Sequence, residues 1–135
     1  MALFELIDTA WRAHDVAAKC QAVDALIPAY LALCLGAALP VVAGGVPACV
    51  DVGRPSKPLC VPPASLPFRK AVDPEGRAAL LHAIAHIEFN AINLALDAAW
   101  RFNALGPTFV RDWVGVAIEE AYHFGLIHDR LIALG

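Results

Sequence analysis

The sequence predicts an all-α fold organised on one antiparallel helix hairpin, and three observations lead to it. Two long stretches, 75–102 and 108–134, carry apolar residues at helical spacing and are separated by the turn sequence Asn103-Ala104-Leu105-Gly106-Pro107-Thr108. No segment alternates apolar and polar residues with the period of a strand. Each long stretch also sets a lone acid, Glu88 or Glu120, in an otherwise apolar stripe.

At 135 residues the chain is one domain with a single core. Hydrophobic residues make up 59% and charged residues 17%, and the mean hydropathy is +0.61. That is more apolar surface than one small domain hides, so oligomerisation, membrane contact or the remainder of a larger core is expected. A net charge of −3 offers no basic footprint, and no nucleic acid is expected as a partner on charge. Cys20, Cys34, Cys49 and Cys60 have neither Cys-x-x-Cys nor zinc-ligand spacing and read as reduced structural thiols. Glu5 and Asp8 stand where a signal peptide would be cationic, so a reducing cytoplasm is the expected compartment.

The chain divides into an N-terminal helical and apolar segment (1–50), a proline-rich arm (51–74) and the hairpin (75–135). Residues 3 to about 24 show amphipathic helical periodicity, through Leu3, Leu6, Ile7, Ala10, Trp11, His14, Ala17, Ala18 and Val23. From Ala25 to Val50 there is no charged side chain, and the stretch is long enough for a membrane span. Pro28, Pro40, Pro47, Gly36 and Gly44-Gly45 interrupt it, and neither flank has a cluster of Lys or Arg. A short buried helix followed by an apolar loop is the expectation there, not a span. The prolines between Asp51 and Pro74 exclude helix and central strand and favour an ordered extended arm lying over the domain. Asp73-Pro74-Glu75 then starts a helix, with Asp73 as N-cap and Pro74 at the first helical position, and Gly135 is a natural stop for the second long helix.

Glu120 and His123 form a Glu-x-x-His pair, and residues three apart on a helix share one face. Trp113, Val116, Phe124, Ile127 and Leu131 make that face apolar, as Leu81, Ile84, Ala85, Ala91, Ile92 and Ala95 do for Glu88. With the turn near residues 104 and 105, position 88 lies level with 120 or 121, about 24 Å from the turn. Glu88, Glu120 and His123 therefore converge, and carboxylates on an apolar face call for a cation. Carboxylate with imidazole suits iron, or manganese, better than metals that require thiolate. A structural Glu–His ion pair is the bland alternative. Glu119 is the fallback ligand if the helical phase is shifted, and otherwise a supporting group. His82 and His86, with Asn90, Asn93 and Asp97, form a polar stripe on another face of the first long helix. They could bind zinc, but no third ligand is evident, so a solvated or helix-contacting face is favoured and His86 is held as a reserve ligand.

Four-helix di-iron carboxylate proteins take a Glu from each of two helices and a Glu-x-x-His from each of the other two. This chain supplies half of that set. The runs Gly53-Arg54-Pro55 to Pro62-Pro63, Pro74-Glu75-Gly76 through His82, His86 and Glu88, Ala91-Ile92 with Leu94-Ala95-Leu96-Asp97, Asp112-Trp113, Glu119-Glu120-Ala121 and His123-Phe124 resemble an uncharacterised ferritin-like family described as a domain of unknown function. That family is similar in turn to di-iron tRNA hydroxylases. The resemblance covers about residues 50–135 and implies a ferritin-like bundle with Glu88, Glu120 and His123 at its ligand positions. It implies no substrate. Members of the family continue with a second helix pair, whereas this chain stops at Gly135, so either two copies rebuild the bundle or the chain is a truncated form.

The expected function is a di-iron carboxylate protein that activates dioxygen toward a small-molecule substrate of unknown identity. An iron-binding or storage module, a helical interaction module and an inactive fragment are the competing expectations. A homodimer completing the four-helix bundle is the expected assembly.

Overall fold

A computed structural model describes residues 1–42 and 52–135. The features read at Gly44-Gly45, Pro47, Cys49 and Asp51 lie outside the described residues. Among the described residues five α-helices follow in order: α1 (Leu3–Arg12), α2 (Val16–Asp24), α3 (Ile27–Cys34), α4 (Pro74–Arg101) and α5 (Pro107–Leu134). Single 3₁₀ turns occupy Pro63–Ser65 and Asn103–Leu105, and no strand occurs among the described residues.

The two long helices begin and end where local chemistry demands. Asp73 caps α4 by accepting from the Gly76 amide at 2.7 Å, with Pro74 filling the first turn where no amide partner exists. At the other end Gly106 adopts φ 101°, a left-handed conformation that costs glycine least, and reverses the chain into Pro107. α4 and α5 then run antiparallel. Phe102 meets Phe109 near the turn with ring centroids 6.4 Å apart, and Phe89 meets Phe124 farther along at 5.6 Å. Between these pairs Ile92, Ala95, Leu96 and Ala99 pack in one core with Val110, Val114, Ala117 and Ala121. Removing an aromatic from such a core typically costs about 3–5 kcal/mol.

The N-terminal periodicity resolves into two helices where the sequence predicts one. Ala13 leaves the helical region, and Asp15 restarts the chain by accepting from the Ala17 amide at 3.2 Å. α1 buries Leu3, Phe4, Ile7, Ala10 and Trp11. Its C-terminal carbonyls are satisfied from α2: the fully buried Lys19 donates to Ala10 O at 2.8 Å and Trp11 O at 3.1 Å, and to Asn93 Oδ1 of α4 at 2.6 Å. Burial, and then the Arg54 charge, push the Lys19 ammonium down to about 8.

α3 corrects the expectation of a buried helix in the uncharged stretch. Leu33 is buried, whereas Leu31 is 54% and Leu35 90% exposed. The helix is apolar all round, but only one side meets α5, where Tyr30 packs so closely on Gly115 that a Cβ there would sit 3.0 Å from its ring. By length and composition Val16–Cys34 and Pro74–Arg101 could each cross a membrane. The first is split by the turn at Ala25 and Leu26, and the second carries the core of the hairpin.

The beginning of the described arm is tied to the helices. Gly53 donates to Trp11 O at 2.8 Å and accepts from Asn93 Nδ2 at 3.1 Å, and a Cβ at this glycine would lie 2.2 Å from Ala13 O. Arg54 Nε donates to Asn90 Oδ1 at 3.0 Å, and Arg54 O lies 3.2 Å from His14 Nδ1. From Val61 to Val72 the arm is exposed.

Candidate metal centre

Glu88 on α4 and Glu120 and His123 on α5 meet at one level of the hairpin. Each offers a ligand atom, and the three atoms lie within 4.8 Å of one another. His123 Nδ1 is 3.6 Å from Glu120 Oε2 and 3.8 Å from Glu88 Oε2. The Glu-x-x-His spacing sets the two α5 groups on one face, and the short turn fixes the height of Glu88 against them. The face is more open than the apolar stripes suggest: the Glu88 and Glu120 side chains are 20% and 23% exposed and that of His123 is 48% exposed.

The electrostatics of the cluster are those of two acids in want of a cation. The Glu88 carboxyl is pushed up from its ordinary value, first by a hydrogen bond with Glu120, then by burial and by the Glu120 charge, with His123 opposing. A cation held between the two carboxylates would relieve the repulsion that raises Glu88. Two carboxylates and an imidazole are a hard-to-borderline donor set that fits iron or manganese.

The other residues singled out from sequence go elsewhere. Glu119 is exposed and acts electrostatically on Tyr30 of α3, outside the cluster. His86, about 200° round α4 from Glu88, turns away to the arm, where its Nε2 lies 3.7 Å from Cys60 Sγ. Tyr122 is 65% exposed beside the His123 ring, and Trp113 packs on Phe109 with centroids 6.1 Å apart. Asn93 is buried between Lys19 and Gly53, and Asp97 pairs with Arg101. Cys20, Cys34 and Cys60 are free thiols, and Cys49 lies outside the described residues. Sequence reasoning missed the Lys19–Asn93–Gly53 network and the Cys60–His86 contact. Lys19 reads as a solvated helix residue, and Cys60 is brought to α4 only by the path of the arm.

Fold and site together define an all-α helical protein whose central helix pair carries a carboxylate–imidazole cluster. The chain belongs to the family described as "Protein of unknown function (DUF455)", which matches residues 9–135. It is similar to an "Uncharacterized protein" of Haemophilus influenzae (strain ATCC 51907 / DSM 11121 / KW20 / Rd), with 57% identity over 88 residues covering 60% of this chain. The chain spans 31% of the length of that curated relative. No solved structure matches.

Proposed function

We propose that the chain is a ferritin-like metal-binding unit that contributes half of a di-iron carboxylate centre. The observation carrying this is the convergence of ligand atoms of Glu88, Glu120 and His123 within 4.8 Å of one another across two helices. Glu88 from one helix and a Glu-x-x-His from its neighbour are half of the ligand set of four-helix di-iron proteins. Bound iron supplies redox chemistry with dioxygen, and the reading is an oxidoreductase of the hydroxylase type acting on a small molecule. In this chain Glu88 and Glu120 hold the metal as anions, and His123 completes the set with a neutral nitrogen. Manganese fits the same donors.

The partner that completes the centre is a second copy of the chain. Leu80, Ile87 and Leu94 recur every seventh residue, about 100° round α4 from Glu88, and are 50%, 64% and 64% exposed, an apolar stripe that a partner could cover. Two hairpins facing each other would cover both stripes and bring four carboxylates and two imidazoles together.

Anaerobic titration with ferrous iron tests the metal site: wild type should bind, and Glu88→Gln and Glu120→Gln should not. Full retention of iron by Glu120→Gln would overturn the ligand assignment. An oxygen electrode then separates enzyme from iron store, because a store consumes oxygen with ferrous iron alone and an oxidoreductase consumes more on addition of its substrate.

A further inference from the structure

Between the arm and the two long helices lies a cavity of about 180 Å³, on a different face of α4 from the carboxylate cluster. Phe89 and Phe124 line it with apolar surface; its charged lining is Arg54 and Lys57, beside the imidazoles of His82, His86 and His128, and no described carboxylate lines it. The cavity therefore suits a small anion with an apolar body. It also contains a thiol. Cys60 is exposed to small reagents and its Sγ lies 3.7 Å from His86 Nε2.

The neighbours of His86 decide what that contact does. Arg54 Nε donates to Asn90 Oδ1 at 3.0 Å, which leaves the Asn90 amide nitrogen facing His86, donating to its backbone oxygen at 2.8 Å and approaching its Nδ1 at 3.5 Å. With an N–H aimed at Nδ1, that nitrogen is the acceptor and Nε2 carries the ring proton, an assignment made from the network. His86 then donates to the sulfur and holds it at the mouth of the cavity. Arg54 both orients Asn90 and adds positive charge to the cavity.

We propose that Cys60 is a covalent attachment site for a small anionic disulfide. The Cys60 thiolate attacks one sulfur of the ligand; a new S–S bond forms as the old one breaks, and the other half leaves as a thiolate that takes a proton from solvent. Cys60 is oxidised to the mixed disulfide and the departing half is reduced, so no further oxidant is needed. Lys57 and Arg54 hold the carboxylates of the ligand, and His86 supports the attacking sulfur.

The test incubates the full chain with oxidised glutathione, which is anionic, and separately with neutral hydroxyethyl disulfide, and follows adducts at each cysteine by peptide mass spectrometry. Cys34, exposed and hydrogen-bonded to Tyr30, is the internal control. Oxidised glutathione should modify Cys60 several-fold faster than Cys34 at neutral pH, because Arg54 and Lys57 line the cavity that holds Cys60. Lys57→Gln should slow the glutathione reaction several-fold and leave hydroxyethyl disulfide unaffected, and His86→Gln should slow both. Equal rates at Cys60 and Cys34 with both reagents overturn the proposal, as does a Lys57→Gln chain that keeps its glutathione rate. One equivalent of zinc alone that blocks Cys60 in the wild type but not in His82→Ala would assign the cavity to a cation instead.

Discussion

At the scale of single residues, Glu120 and burial together raise the Glu88 carboxyl above its ordinary value in the metal-free chain. A carboxyl whose value is raised in the folded state stabilises the fold fully below its unfolded value and loses that contribution as pH rises through the folded one. At neutral pH the Glu88 charge therefore opposes folding of the metal-free chain. Glu88→Gln should raise the melting temperature in chelator at pH 7, with the gain shrinking toward pH 4, and should erase the stabilisation that ferrous iron gives the wild type. Melting curves across that range check both. Lys19 has the opposite sign of group and a depressed value, about 8 against 10.5. Between those values the unfolded chain holds a proton that the folded chain has released, so stability from this residue rises with pH over that window and is flat below it. Lys19→Met should lose about 2 kcal/mol at pH 7, because Ala10 O, Trp11 O and Asn93 Oδ1 lose their buried donor. The deficit relative to wild type should widen from pH 8 to 10.5, as read by urea unfolding at each pH.

At the scale of elements, the hairpin is set by its ends and the arm by one glycine. Asp73→Ala should cost about 1 kcal/mol by freeing the Gly76 amide. Gly53→Ala should cost more, because its Cβ would press on the Ala13 carbonyl at 2.2 Å and lift the arm from α1; thermal melts of the two variants rank them. The same elements show what sequence can convey. Caps and turn glycines act over a few residues, and so Asp73, Pro74 and Gly106 delimit α4 and α5 within a residue of where periodicity puts them. The level matching of Glu88 with Glu120 needed only those ends and the helical rise. The break at Ala13 was hidden because Ala17 and Ala18 keep the apolar spacing of α1, although α2 buries Lys19 and Val23 instead, while Asp15, which caps the second helix, reads as one more surface acid. The exposure of α3 was hidden for a different reason: an all-apolar helix carries no signal of which side lacks a neighbour. Contacts such as Lys19 with Asn93, 74 residues apart, depend on how the arm and the N-terminal helices wrap α4, and no local pattern announces them.

At the scale of the whole molecule, the hairpin carries both the partly exposed carboxylate cluster and an exposed apolar stripe of Leu80, Ile87 and Leu94. On the proposed function, the facing of two hairpins would both bury the stripe and complete the ligand set. Metal that binds only the paired state must stabilise pairing, so iron and dimerisation are linked in both directions. Chelation should then shift the chain toward monomer, and dilution should weaken iron binding. The most direct measurement is sedimentation equilibrium with iron analysis on the same samples, with ferrous iron and with chelator. The account predicts a dimer carrying about two iron ions per pair of chains, the complement of a four-helix di-iron site, that dissociates when chelator removes the metal. A monomer that holds iron with undiminished affinity at high dilution would contradict it.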